Sequence, residues 1–430
     1  MAGFGAAHHL HENGLVAKLY EARARPGGLA TSYANGDGFI FDEGVHISFS
    51  SNSRIRDLFA KSVGGEYTSA KIYCNNYWRG YWMKHPAQVN LHGLPTDMIV
   101  NCIKDFVAAS AIENPKIGNY EDWLLAAFGK TFAETFPGKY TIKYHTTDAS
   151  NMTTDWLGPR LYRPSLDEVL RGALEPEPLD VFYVDQARYP MHGGFGSYIN
   201  GFLPMADVRC SHEVVSIDVA AKALAFRGGA TAAFDGLISS IPVNKLIPMI
   251  VQAPPDVRAA AGRLACSQAA IVNIGINRPV NARPQWSYFY DDDIPFARVS
   301  YRDNFSPNVV PAGCGAFAAE TYFSDKYRPL RGTVEDMIEP TIEGLLKCGL
   351  VKDRSEIIHK SAIWAPFANV IYDLERPKAV EIVHGFLDDI GIAYCGRYGD
   401  WGYIWTDQAF MSGERAAKMT LRRLSAEAFA

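Results

Sequence analysis

The residues with the clearest chemical potential stand in the first fifty positions. Gly3 to Glu12 opens with small residues and continues with bulkier ones, as a helix does, and Asn13-Gly14 stops it. Val16 to Tyr20 is a short apolar run of strand type that closes on an acid, Glu21. Arg25-Pro26-Gly27-Gly28 then turns the chain. A helix N-terminus offers N–H groups to an anion, and glycines let the backbone approach a pyrophosphate. An acid at the end of the second strand accepts hydrogen bonds from a ribose. The chemistry expected here is dinucleotide binding.

Two registers are open. If Gly3 and Gly5 are the first two glycines of G-x-G-x-x-G, the third position is His8, too bulky for helix–sheet contact, and Glu21 comes early. If Gly3 is the third glycine, Glu21 falls where the acid belongs. The second register is preferred. It expects the fold's first strand and first two glycines to be missing from a chain that begins at Met1.

Two further stretches could face the same ligand. Phe41-Asp42-Glu43-Gly44-Val45-His46 follows a short strand. Near the end, Gly396-Arg397 follows a strand-like run, and a helix over Thr406 to Lys418 puts its N-terminus near Asp407-Gln408, where a phosphate or flavin would be favoured.

The elements around these residues sort into blocks. Asn52–Ser62 reads as a short helix and Ala70–Trp82 as aromatic strand, followed by a Pro-broken loop at 84–91. Thr96–Ala109, 119–136 with a break at Gly129, and 151–174 with a kink at Pro159 make a mainly helical block. Val214–Val219, Ala223–Phe226 and Phe234–Ser240 read as strands. Strand candidates also lie in 268–303, and Thr333–Leu350 reads as an amphipathic helix.

Composition narrows the class. The 430 residues are 48% hydrophobic and 21% charged, with net charge −5, so two or three globular domains are expected and nothing points to nucleic acid. No run of 18 apolar residues and no signal peptide is present, so neither a membrane span nor export is expected. The 7 cysteines are dispersed and odd in number, which fits reduced thiols in a cytoplasmic protein. His8, His9 and His11 do not share one helix face and read as helix residues rather than a metal site. No Ser-His-Asp or zinc pattern stands out.

The Gly-Gly pair after Glu21, with FDEGVHISF behind it, resembles the FAD-binding entry of the amine oxidase, protoporphyrinogen oxidase and UDP-galactopyranose mutase group of flavoproteins. Other segments resemble the mutases in particular. The resemblance implies an α/β protein with a discontinuous Rossmann-like FAD-binding domain of the GR2 type (1–70, 188–245 and 366–430). An antiparallel-sheet substrate domain (71–95 and 246–365) and an inserted helical domain (96–187) complete it. It implies FAD contacts at Gly3, Glu21, Arg23, Gly27, Gly28, Leu29, Val214, Gly396, Arg397 and Gln408. FDEGVHISFS resembles the family's histidine loop, placing His46 against the flavin ring. KHPAQVNLHGLP places Gln88 at the base of a nucleotide. DWLGPR ends in Arg160 and WSYFYDDDIPFARVSY carries Tyr288 and Arg298, all at the diphosphate. GRYGDWGYIWTDQ adds Tyr403 and Asp407.

The implied activity is FAD-dependent interconversion of pyranose and furanose forms of a nucleotide sugar, with reduced flavin N5 attacking the anomeric carbon and His46, Arg160 and Arg298 in catalytic positions. The small-molecule substrate is expected to be a nucleotide sugar. The sequence departs from the family pattern at Ala87, Phe305 and Asn369, which leaves open a flavin oxidoreductase acting on another small molecule. A non-catalytic protein, with FAD retention weakened by the missing first strand, is the third expectation.

Overall fold

The computed structural model describes residues 1–158, 161–176, 184 and 186–428. The first helix, Ala2–Glu12, packs against the last, Thr406–Ala428. Glycine makes this approach possible. A Cβ built on Gly5 would sit 2.0 Å from the Phe410 carbonyl oxygen, and one on Gly413 1.9 Å from that of Ala2. Gly3 instead faces the following strand, where its Cβ would lie 3.4 Å from Leu19 Cδ1. That is the helix–strand position the preferred register assigns to it.

The strand Ala17–Tyr20 pairs in parallel with Ala206–Arg209, and Ile238–Ser239 pairs in parallel with Ala393–Tyr394. Segments from the start, middle and end of the chain therefore meet at the dinucleotide fold. Helix Ser53–Ser62 forms where expected, its Asn52 cap accepting from Ile55 N, an interaction worth about 1 kcal/mol. The aromatic stretch resolves into strands Cys74–Trp78 and Tyr81–Lys84.

These two strands close one edge of a seven-stranded sheet. Its order is Ile357–Val370, Cys266–Ile276, Gly315–Phe323, Arg298–Tyr301, Trp286–Phe289, Cys74–Trp78 and Tyr81–Lys84. The expected antiparallel sheet is corrected to a mixed one, because Trp286–Phe289 runs parallel to Cys74–Trp78. Two strands went unassigned from sequence: 315–323 lies inside the sheet beside Arg298–Tyr301, and 357–370 forms the edge opposite Tyr81–Lys84. The first is buried along almost its whole length, so it lacks the in–out alternation that marks a half-exposed strand.

The helical block contains Thr96–Ser110, Tyr120–Phe128 and a helical run through 130–145. Two helix expectations are corrected. Within 151–174 the described helix is Leu166–Leu174, closed by a capping box of Ser165 and Glu168, while 151–158 is turns. Within 333–350 the α-helix is confined to Ile338–Lys347. Among the described residues no helix is long and apolar enough to cross a membrane.

Candidate functional site

Strand register sets the site. Tyr288 lies directly opposite Arg298, and Arg298 directly opposite Glu320, across three neighbouring strands. In-register residues share a sheet face, so the three side chains form one row. Arg298 donates through Nε and Nη2 to Glu320 Oε2, at 2.9 and 2.6 Å. The Tyr322 hydroxyl donates to the same oxygen, and Val45 N donates to Oε1 at 2.9 Å. Burial opposes the charge on Arg298, but Glu320 and the surrounding tyrosines outweigh it and hold its pKa well above the ordinary value.

The Val45 bond ties the histidine loop to this row. His46 packs on Phe195 with ring centroids 5.1 Å apart, and its Nδ1 lies 3.3 Å from the Gly44 carbonyl oxygen. A carbonyl only accepts, so the proton belongs on Nδ1 and Nε2 is an acceptor. Burial, with Arg397 nearby, lowers the His46 pKa and keeps the ring neutral.

The row, the loop and the helical block enclose a cavity of about 280 Å³. Its lining includes Leu29, His46, Gln88, Tyr288, Arg298, Arg397 and Tyr403, seven of the residues expected from sequence. Gln88 Nε2 is engaged by the Tyr162 carbonyl at 2.8 Å. The Tyr403 hydroxyl lies 3.1 Å from that of Tyr144, and the Arg397 guanidinium lies over the Tyr403 ring. Arg160 lies outside the described residues. Asp407 is not among the lining residues; its Oδ2 accepts from the Ser50 hydroxyl at 2.6 Å, while Thr406 beside it reaches the cavity. Gln408 holds Trp405 N through its side-chain oxygen.

The remaining expected cofactor residues stand apart from this cavity. Glu21 Oε1 accepts from Arg23 N at 2.8 Å, and the Arg23 guanidinium pairs with Glu43. Gly27 and Gly28 have φ of 130° and 58°, a turn that L side chains adopt with strain. Gly396 N is held by the Ser412 hydroxyl, and Val214 pairs with Phe226 in a small antiparallel sheet.

One wall went unread in the sequence. Phe128, Phe132, Phe136, Tyr140 and Tyr144 line the cavity at four-residue steps, with 5.2 Å between the first two ring centroids and 5.1 Å between the last two. The period was visible as the signal of one helix face. Of the departures from the family pattern, Ala87 and Asn369 line the cavity, whereas Phe305 packs against Tyr189. A Ser-His-Asp line that the sequence reading did not find also exists. Asp37 Oδ2 contacts His359 Nδ1 at 2.5 Å, and Nε2 contacts Ser361 Oγ at 3.0 Å. It pins the turn between the paired strands Ser32–Ala34 and Ile40–Asp42 to the sheet's edge strand Ile357–Val370, outside the cavity.

A family model described as an NAD(P)-binding Rossmann-like domain matches residues 1–62. A solved structure of reduced UDP-galactopyranose mutase superposes with a TM-score of 0.92 at 26% identity, covering 98% of this chain and 94% of that one. The chain is UDP-galactopyranose mutase-like. A protein named as a protoporphyrinogen oxidase from Exiguobacterium sp. gives a TM-score of 0.73 at 14% identity, with 98% and 97% covered. Cyclohexylamine oxidase from Brevibacterium oxydans gives 0.68 at 12%, with 99% and 97% covered. The mutase-like chain thus shares its α/β fold with amine and protoporphyrinogen oxidases, as its sequence implied. These neighbours are named as a mutase and as oxidases, enzymes of isomerase and of oxidoreductase type. The Rossmann-like domain and these neighbours point to a flavin cofactor.

Proposed function

We propose that the chain is a FAD-dependent nucleotide-sugar mutase that interconverts pyranose and furanose rings, with a UDP-hexose as substrate. The observation that carries this is the charge balance of the cavity. Arg298 is matched by Glu320, and Glu43 by Arg23. Arg397 has no carboxylate within ion-pair distance among the described residues, and His46 is neutral. The described lining therefore keeps one unmatched positive charge, which a diphosphate complements.

The residues fit FAD. Glu21 keeps one carboxylate oxygen without a partner among the described residues, as a ribose contact requires. The Gly27-Gly28 turn admits close backbone approach, and Asp407 Oδ1, next in the chain to the lining residue Thr406, is buried and unpartnered. On this reading Gly3, Glu21, Arg23, Gly27, Gly28, Leu29, Val214, Gly396 and Gln408 serve the FAD-binding domain, with the three-part domain division as expected from sequence. The bound, reduced flavin supplies the electron pair taken up by the anomeric carbon.

The chain's own residues do the rest. Arg397, Tyr288 and Tyr403 hold the diphosphate and offset the charge it gains as the bond to the anomeric carbon breaks. His46 Nε2 can accept a hydrogen bond from the sugar or cofactor without adding charge. The aromatic wall excludes water, which protects the sugar from hydrolysis while it is detached. The seven free cysteines support a reducing, cytoplasmic setting.

A flavin oxidoreductase of a small molecule is the second reading, favoured by the small Ala87 in the cavity wall. Dithionite-reduced protein incubated with UDP-galactopyranose should yield a furanose product on chromatography, without oxygen consumption. Absence of furanose from any UDP-hexose, with peroxide released from an amine or alcohol panel, decides for the oxidoreductase.

A further inference from the structure

Arg397 is held by its neighbours in a way that leaves little of it free. Nε and Nη2 both donate to the Ile404 carbonyl, at 3.0 and 2.8 Å. Nη1 donates to the Ala368 carbonyl at 3.2 Å and to Asn369 Oδ1 at 3.0 Å. A guanidinium has five N–H groups, so one, on Nη2, is left over. Every partner named is neutral. The site spends four hydrogen bonds fixing the cation and none cancelling its charge.

Asn369 is informative for a second reason. It is only 4% exposed, and it lines the cavity. Its backbone is fixed on the strand, where Asn369 N donates to Ser267 Oγ at 3.2 Å and its carbonyl accepts from the same hydroxyl. The amide orientation is settled by chemistry. Oδ1 must face Arg397, because the reversed amide would set N–H against N–H. Nδ2 is then the end turned away from Arg397, and it has no acceptor among the described residues. Nδ2 keeps some contact with the cavity space rather than being sealed in the core, so a ligand oxygen can accept from it there.

We propose that Asn369 and Arg397 form a single oxyanion subsite, in which Asn369 both positions the guanidinium and donates Nδ2–H to the same phosphoryl oxygen that Arg397 Nη2 binds. The occupant is the diphosphate of the nucleotide-sugar substrate. The inference rests on the mutase reading for that identity, but the subsite itself needs only phosphate chemistry. It explains how an asparagine serves where the family pattern has a larger residue. The amide orients an arginine and adds one neutral donor without adding charge.

The test is calorimetric titration of the flavin-loaded protein with inorganic pyrophosphate, UDP and uridine, for wild type, Asn369→Ala and Asn369→Asp. Asn369→Ala should weaken pyrophosphate and UDP by about tenfold or more, since it removes a hydrogen bond to a charged group and frees Arg397. Uridine affinity and the flavin-to-protein ratio should not change. The isosteric Asn369→Asp keeps the shape but places a carboxylate on Arg397, and should lose pyrophosphate and UDP by about a hundredfold or more.

Pyrophosphate binding within twofold of wild type in both variants overturns the subsite. Equal loss for uridine and UDP also overturns it, because a collapsed cavity would act on both. Loss of flavin with UDP affinity intact overturns the assignment to substrate and gives the oxyanion to the cofactor. Pyrophosphate binding that depends on Asn369 in a protein that ignores UDP keeps the subsite and removes the nucleotide-sugar reading.

Discussion

At the scale of residues, the Arg298–Glu320 pair is the most exposed to a decisive test. Both groups are largely withdrawn from water, and each makes the other's charge tolerable. Taking away the cation strands a buried carboxylate, a change that costs about 3–5 kcal/mol. Arg298→Met should therefore lower stability by roughly that amount in urea unfolding, while Arg298→Met with Glu320→Gln should recover much of the loss. If the single variant unfolds at the wild-type urea concentration, the carboxylate is not held as described. Tyr288 and Arg298 could be picked from the sequence because they sit in one resembling segment. Glu320 could not, because it lies on a strand buried on both faces, where no in–out alternation marks the register. The Asn369 contact was equally hidden, since a hydrogen bond across 28 positions leaves no periodic trace.

At the scale of elements, the pairing of the first and last helices is what joins the two ends of the chain. The sequence showed both helices, and it showed Gly3 as the glycine against the strand. It did not show that Gly5 and Gly413 face each other's helices, because helix-to-helix approach depends on two faces meeting in space. A side chain at either position would meet a backbone carbonyl rather than a flexible tip. Gly413→Val should cost several kcal/mol and lower flavin content together with stability, as overpacking against backbone has no soft neighbour to displace. Gly385→Ala is the matched control. It lies inside helix Arg376–Ile390 with open space where the methyl goes, and should stabilise by up to about 1 kcal/mol. Equal effects from the two substitutions, read by urea midpoint, remove the close-packing argument. The strands of the sheet follow the same logic as Glu320. The candidates in 268–303 covered the inner strands Cys266–Ile276, Trp286–Phe289 and Arg298–Tyr301, whereas the buried Gly315–Phe323 and the edge strand Ile357–Val370 went unassigned.

At the scale of the whole molecule, the buried histidines make acid stability a direct readout of the cavity. Burial pushes the pKa of His85 and of His145 down to about 3. Both line the cavity, on its loop side and its helical side respectively. In the unfolded chain each imidazole titrates near 6.5. Between these values the unfolded state binds a proton that the folded state refuses, so stability present above pH 6.5 drains away as pH falls toward 3. Well below pH 6.5 each shifted histidine costs about 1.4 kcal/mol per pH unit, and the pair removes about 3 kcal/mol between pH 6.5 and 5. That is a large share of the ~5–15 kcal/mol that holds a typical domain together. Unfolding by urea should show a flat midpoint above pH 7 and a steep decline below 6.5, before most carboxylates titrate. His145→Phe, which keeps an aromatic ring between Tyr144 and Trp156, should make that slope shallower, with the remaining decline left to His85 and the other buried histidines, His46 and His384. A midpoint unchanged from pH 7.5 to 5 would mean that both rings reach water. The cavity would then be wet, and the water exclusion that a detached sugar needs would be lost with it.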